Sequence, residues 1–264
     1  MIDFEQKPSY DVADLAEIVR VLRAPGGCPW DQEQDHKSIR RDLLEEAYEV
    51  VEAIDEGSPE HLQEELGDLL LQVVMHARME EEEGRGDLAA VADGICKKLI
   101  YRHPHVFGDV TVSGTGQVLA NWDELKKKEK HQATAADSVD AVARSLPGLW
   151  RAEKIQKKAA KVGFDWDSMD GAMEKLREET EELQTAIREG SNVSEELGDL
   201  LFAAVNVARF VKVDPEAAMT AACDKFARRF RAVEEAAAAQ GKALSDMTLA
   251  EMDALWDKAK EQET

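Results

Sequence analysis

The sequence predicts an all-α chain arranged as two tandem helical bundles, and three observations predict it. Apolar residues recur at helical spacing almost throughout. Glycine and proline are few, 16 and 7 in 264 residues. The first half returns in the second. Glu45-Glu46-Ala47-Tyr48-Glu49 followed by Glu65-Leu66-Gly67-Asp68 reappears as Glu178-Glu179-Thr180-Glu181-Glu182 followed by Glu196-Leu197-Gly198-Asp199. Cys96-Lys97-Lys98 through Arg102 matches Cys223-Asp224-Lys225 through Arg229, and Trp122-Asp123 with Lys126 matches Trp256-Asp257 with Lys260. Four features in one order, about 131 residues apart, mark a duplicated domain and exclude a solenoid. The expected division is a first domain over 1–131, a linker over 132–146 and a second domain over 147–264.

Each helix has a local cause. Asp11 caps a helix over Val12 to Arg23 that carries Leu15, Ile18, Val19 and Leu22 on one face, and Ala24-Pro25-Gly26-Gly27 ends it. A second helix runs from Ser38 to Glu56 and stops at Gly57. Ser58-Pro59 starts a third, with serine as cap and proline at the first helical position. A fourth covers Asp87 to Arg102, the stretch from His103 to Gly116 is a loop, and a helix around Asn121 to His131 closes the half. Residues 132–145 are polar and alanine-rich, which suits a linker or a weak helix. The second half runs Pro147–Lys161, then a helix to Gly190, then one capped by Ser191 or Asn192 to Val213. Asp214-Pro215 opens a long helix to Gln240, and Thr248-x-x-Glu251 is a capping box for the last.

Composition narrows the function. Lys and Arg number 33 against 55 Asp and Glu, a net charge of −22. That argues against a nucleic-acid polymer as partner, since such binding rests on clustered cations. A small anion that arrives with its own metal remains compatible. Three cysteines without a C-x-x-C pair read as reduced thiols in a cytoplasmic protein, with Cys96 and Cys223 expected in the core. No basic segment precedes an apolar one at the N-terminus, so no signal peptide is expected, and no apolar run is long enough for a membrane span.

The acidic repeats carry the chemistry. Residues three apart share a helix face, so Glu46 projects with Glu49, Glu65 with Asp68, Glu179 with Glu182, and Glu196 with Asp199. If consecutive helices pack antiparallel, each copy gathers four carboxylates. At about 4 Å and an effective dielectric near 20 each pair repels by roughly 4 kcal/mol, so either some stay protonated or a cation sits among them. The donors are all oxygen, which favours Mg²⁺ or Mn²⁺ over Zn²⁺ or Cu²⁺. E-E-x-x-E alone is the pattern of a solvated helix face. Its pairing with E-x-x-D in apolar surroundings, where an unpaired charge is expensive, and with Gly67 and Gly198, which suggest close approach, favours function.

Lys225 and Arg229 are four apart on one face, as are Trp256 and Lys260, with Lys98, Arg102, Trp122 and Lys126 as first-half equivalents. Such cations either form i,i+4 salt bridges or bind phosphate oxygens. The indole either stacks on a base or packs at the bundle rim. His103 and His105 read as structural.

Together these residues resemble the MazG family of all-α nucleoside triphosphate pyrophosphohydrolases. The resemblance rests on the paired acidic motifs, on Gly27-Cys28-Pro29-Trp30-Asp31, on Arg102-His103-Pro104-His105-Val106-Phe107, on Val162-Gly163-Phe164-Asp165-Trp166, and on Lys225-Phe226-x-x-Arg229-Phe230. It implies Mg²⁺-dependent hydrolysis of nucleoside triphosphates between the α and β phosphates to a monophosphate and pyrophosphate, by a homodimer whose sites lie near the subunit interface. It implies Glu179, Glu182, Glu196 and Asp199 as metal ligands, and Lys225, Arg229, Trp256 and Lys260 as nucleotide contacts. Glu178 is implied as the group that orients or deprotonates the attacking water. Most activity is implied for the C-terminal copy, with Glu46, Glu49, Glu65 and Asp68 as a second metal site. The lysine that the family pattern places before the second E-x-x-D is absent, its position falling near Asn192. A non-catalytic nucleotide- or metal-binding module, and an enzyme restricted to one modified or deoxy nucleotide, are the alternative expectations.

Overall fold

The computed structural model describes residues 4–129 and 134–262, and among them contains helices and turns but no strand. It divides into two compact units, Met1–Lys126 and Lys127–Thr264.

In the first unit α1 (Val12–Arg23) is capped by Asp11, whose carboxylate accepts from the amides of Ala13 and Asp14. A short α2 (Pro29–Glu33) lies in the expected turn. The helices α3 (Arg40–Glu56) and α4 (Pro59–Glu82) form a hairpin through Gly57, whose φ of 67° needs a residue without a Cβ. Val19, Ile39, Val74, Met75 and Met79 make the core beneath this hairpin. Arg23, nearly buried, fastens three elements: it donates to Glu82 of α4 and to the carbonyls of Asp31 and Gln34. The unit continues with α5 (Leu88–Arg102), a short α6 (Pro104–Phe107) inside the expected loop, and α7 (Thr115–Glu129). The end of the helix expected at 121–131 lies outside the described residues, as do the side chains of Asp123 and Lys126.

The second unit repeats the hairpin. The segment read as a linker holds α8 (Ala135–Asp140), closed by a Thr134–Asp137 capping box, while residues 132 and 133 lie outside the described part. Then come α9 (Gly148–Ala160), α10 (Met169–Glu189), α11 (Val193–Phe210), α12 (Pro215–Ala239) and α13 (Leu249–Gln262). Gly190, φ 68°, turns α10 into α11 as Gly57 turns α3 into α4. The Trp150 indole donates to Asp214 (2.9 Å), which also caps α12, so the starts of α9 and α12 are tied. Val233, Ala237, Met247 and Leu255 form a separate core where α12 meets α13.

Three expectations need correction. Asn192 precedes α11 in the left-handed region (φ 53°) and makes no side-chain cap bond, because that backbone does not aim its amide at the first turn. Cys96 and Cys223 are exposed on α5 and α12 rather than in the core, since these faces of the helices are uncovered in the single chain. A Cβ on Gly67 or Gly198 meets nothing within 4 Å, so neither glycine serves close packing within the described chain.

Candidate active site

The second-unit site is built on the α10–α11 hairpin. The turn at Gly190 brings α11 back along α10, so Glu196 and Asp199 face Glu179. Carboxylate oxygens of Glu179, Glu196 and Asp199 all lie within 4.8 Å of one another. Glu179 is only 6% exposed, whereas Asp199 is open to solvent. Its exposure corrects the expectation that this aspartate is buried in an apolar helix: the leucines beside it, Leu197 and Leu201, are themselves exposed. Glu182, one turn beyond Glu179, stands outside the group of three. Loss of hydration and the Glu179 charge still push its carboxyl upward.

The sequence reading missed Lys175, although its position four residues before Glu179 was the available signal. Its ammonium sits 2.7 Å from Glu179 and 2.8 Å from Glu178, and both carboxylates raise its pKa. Glu178 is thereby held beside the cage without belonging to it. A lysine shared by a buried carboxylate and an exposed one is a cation that a more strongly charged anion can recruit.

In the first unit the corresponding group is Glu46, Glu49 and Glu65, and Asp68 stands outside it. Burial, then the charges of Asp68 and Glu49, push the Glu46 carboxyl upward. Four residues before Glu46 stands Asp42, so the lysine of the second unit is replaced by an acid. Four before Glu65, where the second unit has Asn192, stands His61. Its ring lies 2.8 Å from Glu56 and 3.1 Å from Glu65.

The cationic and aromatic residues form their own group on α12 and α13. Arg229 lies over the Trp256 ring at 6.0 Å, Phe226 meets the same indole at 4.9 Å, and Lys260 pairs with Asp257. Lys225 is exposed on α12. In the first unit Trp122 and His103 meet edge to face at 4.9 Å between ring centroids, and His103 also stands against His105.

Behind the second cage opens a cavity of about 410 Å³ that Lys175, Glu179 and Asp199 help to line. Its floor is α9 and α11. Its far wall is the segment 163–166, where Gly163 (φ 85°) turns the chain out of α9. Two contacts hold that wall. Arg209 of α11 grips Asp165 through both carboxylate oxygens and keeps that carboxyl below its ordinary range. The Trp166 ring lies against Gly171, where an added Cβ would come within 3.3 Å of it.

The MazG nucleotide pyrophosphohydrolase domain matches twice, over residues 34–107 and 168–233. The chain belongs to the MazG family. A nucleoside triphosphate pyrophosphohydrolase of Escherichia coli is 43% identical over 254 residues, covering 94% of this chain and 97% of that one. A MazG pyrophosphohydrolase/pyrophosphatase of Thermotoga maritima is 41% identical over 247 residues, covering 94% of each. The uncharacterized YabN of Bacillus subtilis is 48% identical over 263 residues, and the chain spans 54% of its length. Each MazG match contains one acidic hairpin, and the second also takes in Lys225 and Arg229. Neither match includes α9, the 163–166 wall, Trp256 or Lys260.

Proposed function

We propose that this chain hydrolyses nucleoside triphosphates between the α and β phosphates, releasing a nucleoside monophosphate and pyrophosphate, and that the second unit does the work. The carrying observation is the convergence of Glu179, Glu196 and Asp199, with Lys175 beside them, at the edge of a cavity large enough for a nucleoside. The donors are all oxygen, two of the three carry no described ion-pair partner, and Glu182 is within electrostatic reach. That set fits Mg²⁺, with Mn²⁺ as a substitute, held by Glu179, Glu182, Glu196 and Asp199. When bound, the ion neutralises phosphate charge and makes water a better nucleophile.

The side chains supply the rest. Lys175 exchanges its carboxylate partners for phosphate oxygens. Glu178 is freed by that exchange to orient, or take a proton from, the attacking water. Lys225, Arg229 and Lys260 supply positive charge for the triphosphate, and Trp256 holds Arg229 in place. In the first unit Glu46, Glu49, Glu65 and Asp68 provide a second cation site, but Asp42 sets a negative charge where Lys175 stands in its counterpart. This supports a binding rather than a hydrolytic role for that copy. The protein acts as a cytoplasmic homodimer on this reading, which the exposed Met219, Phe226 and Phe230 of α12 support as a surface for a second copy.

The test is pyrophosphate release from a panel of ribo- and deoxynucleoside triphosphates, with and without Mg²⁺, for the wild type, Glu182→Gln, Glu49→Gln and the double variant. Loss with Glu182→Gln alone is expected. Full activity in the double variant would sink the cage mechanism, and turnover of a single modified or deoxy nucleotide would narrow the substrate class.

A further inference from the structure

We propose that His36 and His76 form a proton-operated clasp between the segment leading into α3 and the middle of α4. The clasp stays closed when it gains one proton and opens when it gains a second. Neither histidine belongs to the acidic groups described above.

The geometry is that of a shared hydrogen. The two Nδ1 atoms lie 2.7 Å apart, while the ring centroids are 5.0 Å apart and the planes differ by 6°. The nitrogens are closer than the centroids by about one ring's width, so the rings meet end to end in one plane. So short a contact needs one hydrogen between the nitrogens, since two lone pairs or two N–H groups would repel. A Glu80 oxygen lies 2.9 Å from His36 Nε2, a close ionic contact off the line of an aligned hydrogen bond. Arg85 donates to Glu80 and holds its carboxyl down at about 2, so Glu80 is an anion wherever histidines titrate. That anion favours a hydrogen on His36 Nε2. The neutral His36 ring then has a bare Nδ1, and His76 Nδ1 is the donor. His76 Nε2 is left as a lone pair, buried without a partner.

Proton uptake follows from this chain. A first proton enters at His76 Nε2 while the Nδ1 hydrogen crosses to His36. The positive charge then stands opposite Glu80, and the bond between the rings persists in charge-assisted form. A second proton must go to His76 Nδ1. Two N–H groups and two like charges then face each other, and the bond is lost. Burial, then the charge on His36, lowers the pKa of His76 from its ordinary 6.5. Its stabilising part is therefore present above 6.5 and lost as pH falls through the folded value.

The surroundings leave the decision to the pair. The charges beside His36 are Asp35, Lys37, Glu80 and, through Glu80, Arg85. The helices α1 and α5 pack on this core through Leu15, Ala16, Val19 and Leu88, none of them charged. Arg23, Arg78 and Glu82 are paired with one another. What the clasp holds is the entry to α3. Asp35 accepts from the amides of Lys37 and Ser38, which shapes the turn that presents His36, and the core residue Ile39 follows. Because α3 carries Glu46 and Glu49, the clasp fixes one end of the helix that supplies the first acidic group.

The test uses the full chain labelled with ¹⁵N in histidine. Ring nitrogen spectra are followed from about pH 8 to about pH 4.5, with amide hydrogen exchange of Ile39 and Leu43 measured alongside. The amides of Ile39 and Leu43 donate to the Asp35 and Ile39 carbonyls at the start of α3. At high pH a coupling between two Nδ1 atoms should join His36 and His76, with His76 as the Nδ1–H tautomer. The coupling should survive the first proton and vanish with the second, below the ordinary histidine value of about 6.5. Exchange protection, corrected for the intrinsic rate, should hold through the first step and fall roughly tenfold at the second, the size of one lost hydrogen bond. His36→Ala should show that loss already at high pH and respond little to further acid. Absence of the coupling, its loss at the first proton, or protection in His36→Ala that matches the wild type throughout would each overturn the proposal. The wild-type spectra decide the matter even if the variant does not fold.

Discussion

Replacing Glu179 by glutamine separates the cage's two faces, one electrostatic and one ligating. The parent carries two relieved terms and one lost term. At 4.8 Å and an effective dielectric of about 20, Glu179 repels Glu196 and Asp199 by about 3.5 kcal/mol each, roughly 7 in all. Against that stands its pair with Lys175 at 2.7 Å, worth about 6 kcal/mol on the same scale. Solvent around Asp199 shrinks both sides. Glu179→Gln is therefore expected to leave the stability of the metal-free protein within about 1 kcal/mol of the parent. The metal response changes far more. A cation at 100 times its Kd stabilises the folded parent by about 2.7 kcal/mol, and the variant loses that increment. The assay is urea unfolding followed by tryptophan fluorescence, with and without Mg²⁺, in a Glu49→Gln background that weakens the first site. The parent midpoint should rise by about 1 M or more on adding Mg²⁺, and the variant midpoint should not move. The same Mg²⁺ increment in both proteins would refute the assignment of Glu179 as a ligand.

Lys175→Ala should raise KM for the triphosphate roughly tenfold, as loss of one charge-assisted contact predicts, with a smaller effect on Mg²⁺ affinity measured by calorimetry. Arg209→Ala should destabilise the second unit by about 1–3 kcal/mol and loosen the 163–166 wall. It should also blunt acid sensitivity: Asp165 is depressed below its ordinary 3.8, so its contribution is present above that value and lost as pH falls through the folded value. Urea midpoints between pH 3 and 6 check both statements. Gly190→Ala forces a Cβ into the left-handed region at φ 68° and should cost about 1 kcal/mol, whereas Gly198→Ala, in open space within a helix, should cost nothing or stabilise.

Helix order was legible because periodicity, Asp11, Ser58-Pro59, Asp214-Pro215 and the Thr248 box are local signals. The acidic group was legible because i,i+3 spacing and a short turn leave little freedom in where the carboxylates meet. What escaped depended on covering surfaces and on distant pairs. Whether Cys96, Cys223 and Asp199 are buried is settled by what packs on α5, α11 and α12, and nothing in their own segments says so. Arg209 finds Asp165 44 positions away, and Gln156 finds the Phe202 carbonyl 46 away. Single-sequence spacing carries no trace of either. Lys175 is the exception, since its i,i+4 relation to Glu179 was in plain view.

The two hairpin turns have a kinetic consequence. Gly57 and Gly190 adopt nearly the same backbone angles, 67° and 28° against 68° and 29°. Each closes a pair of consecutive helices whose acidic residues are separated by 22 positions or fewer. A site assembled from such local contacts forms as soon as one hairpin shuts, ahead of slower long-range docking. Without a cation the gathered carboxylates oppose that closure, and with one they promote it. A cation that binds there would therefore favour closure of each hairpin before any substrate arrives.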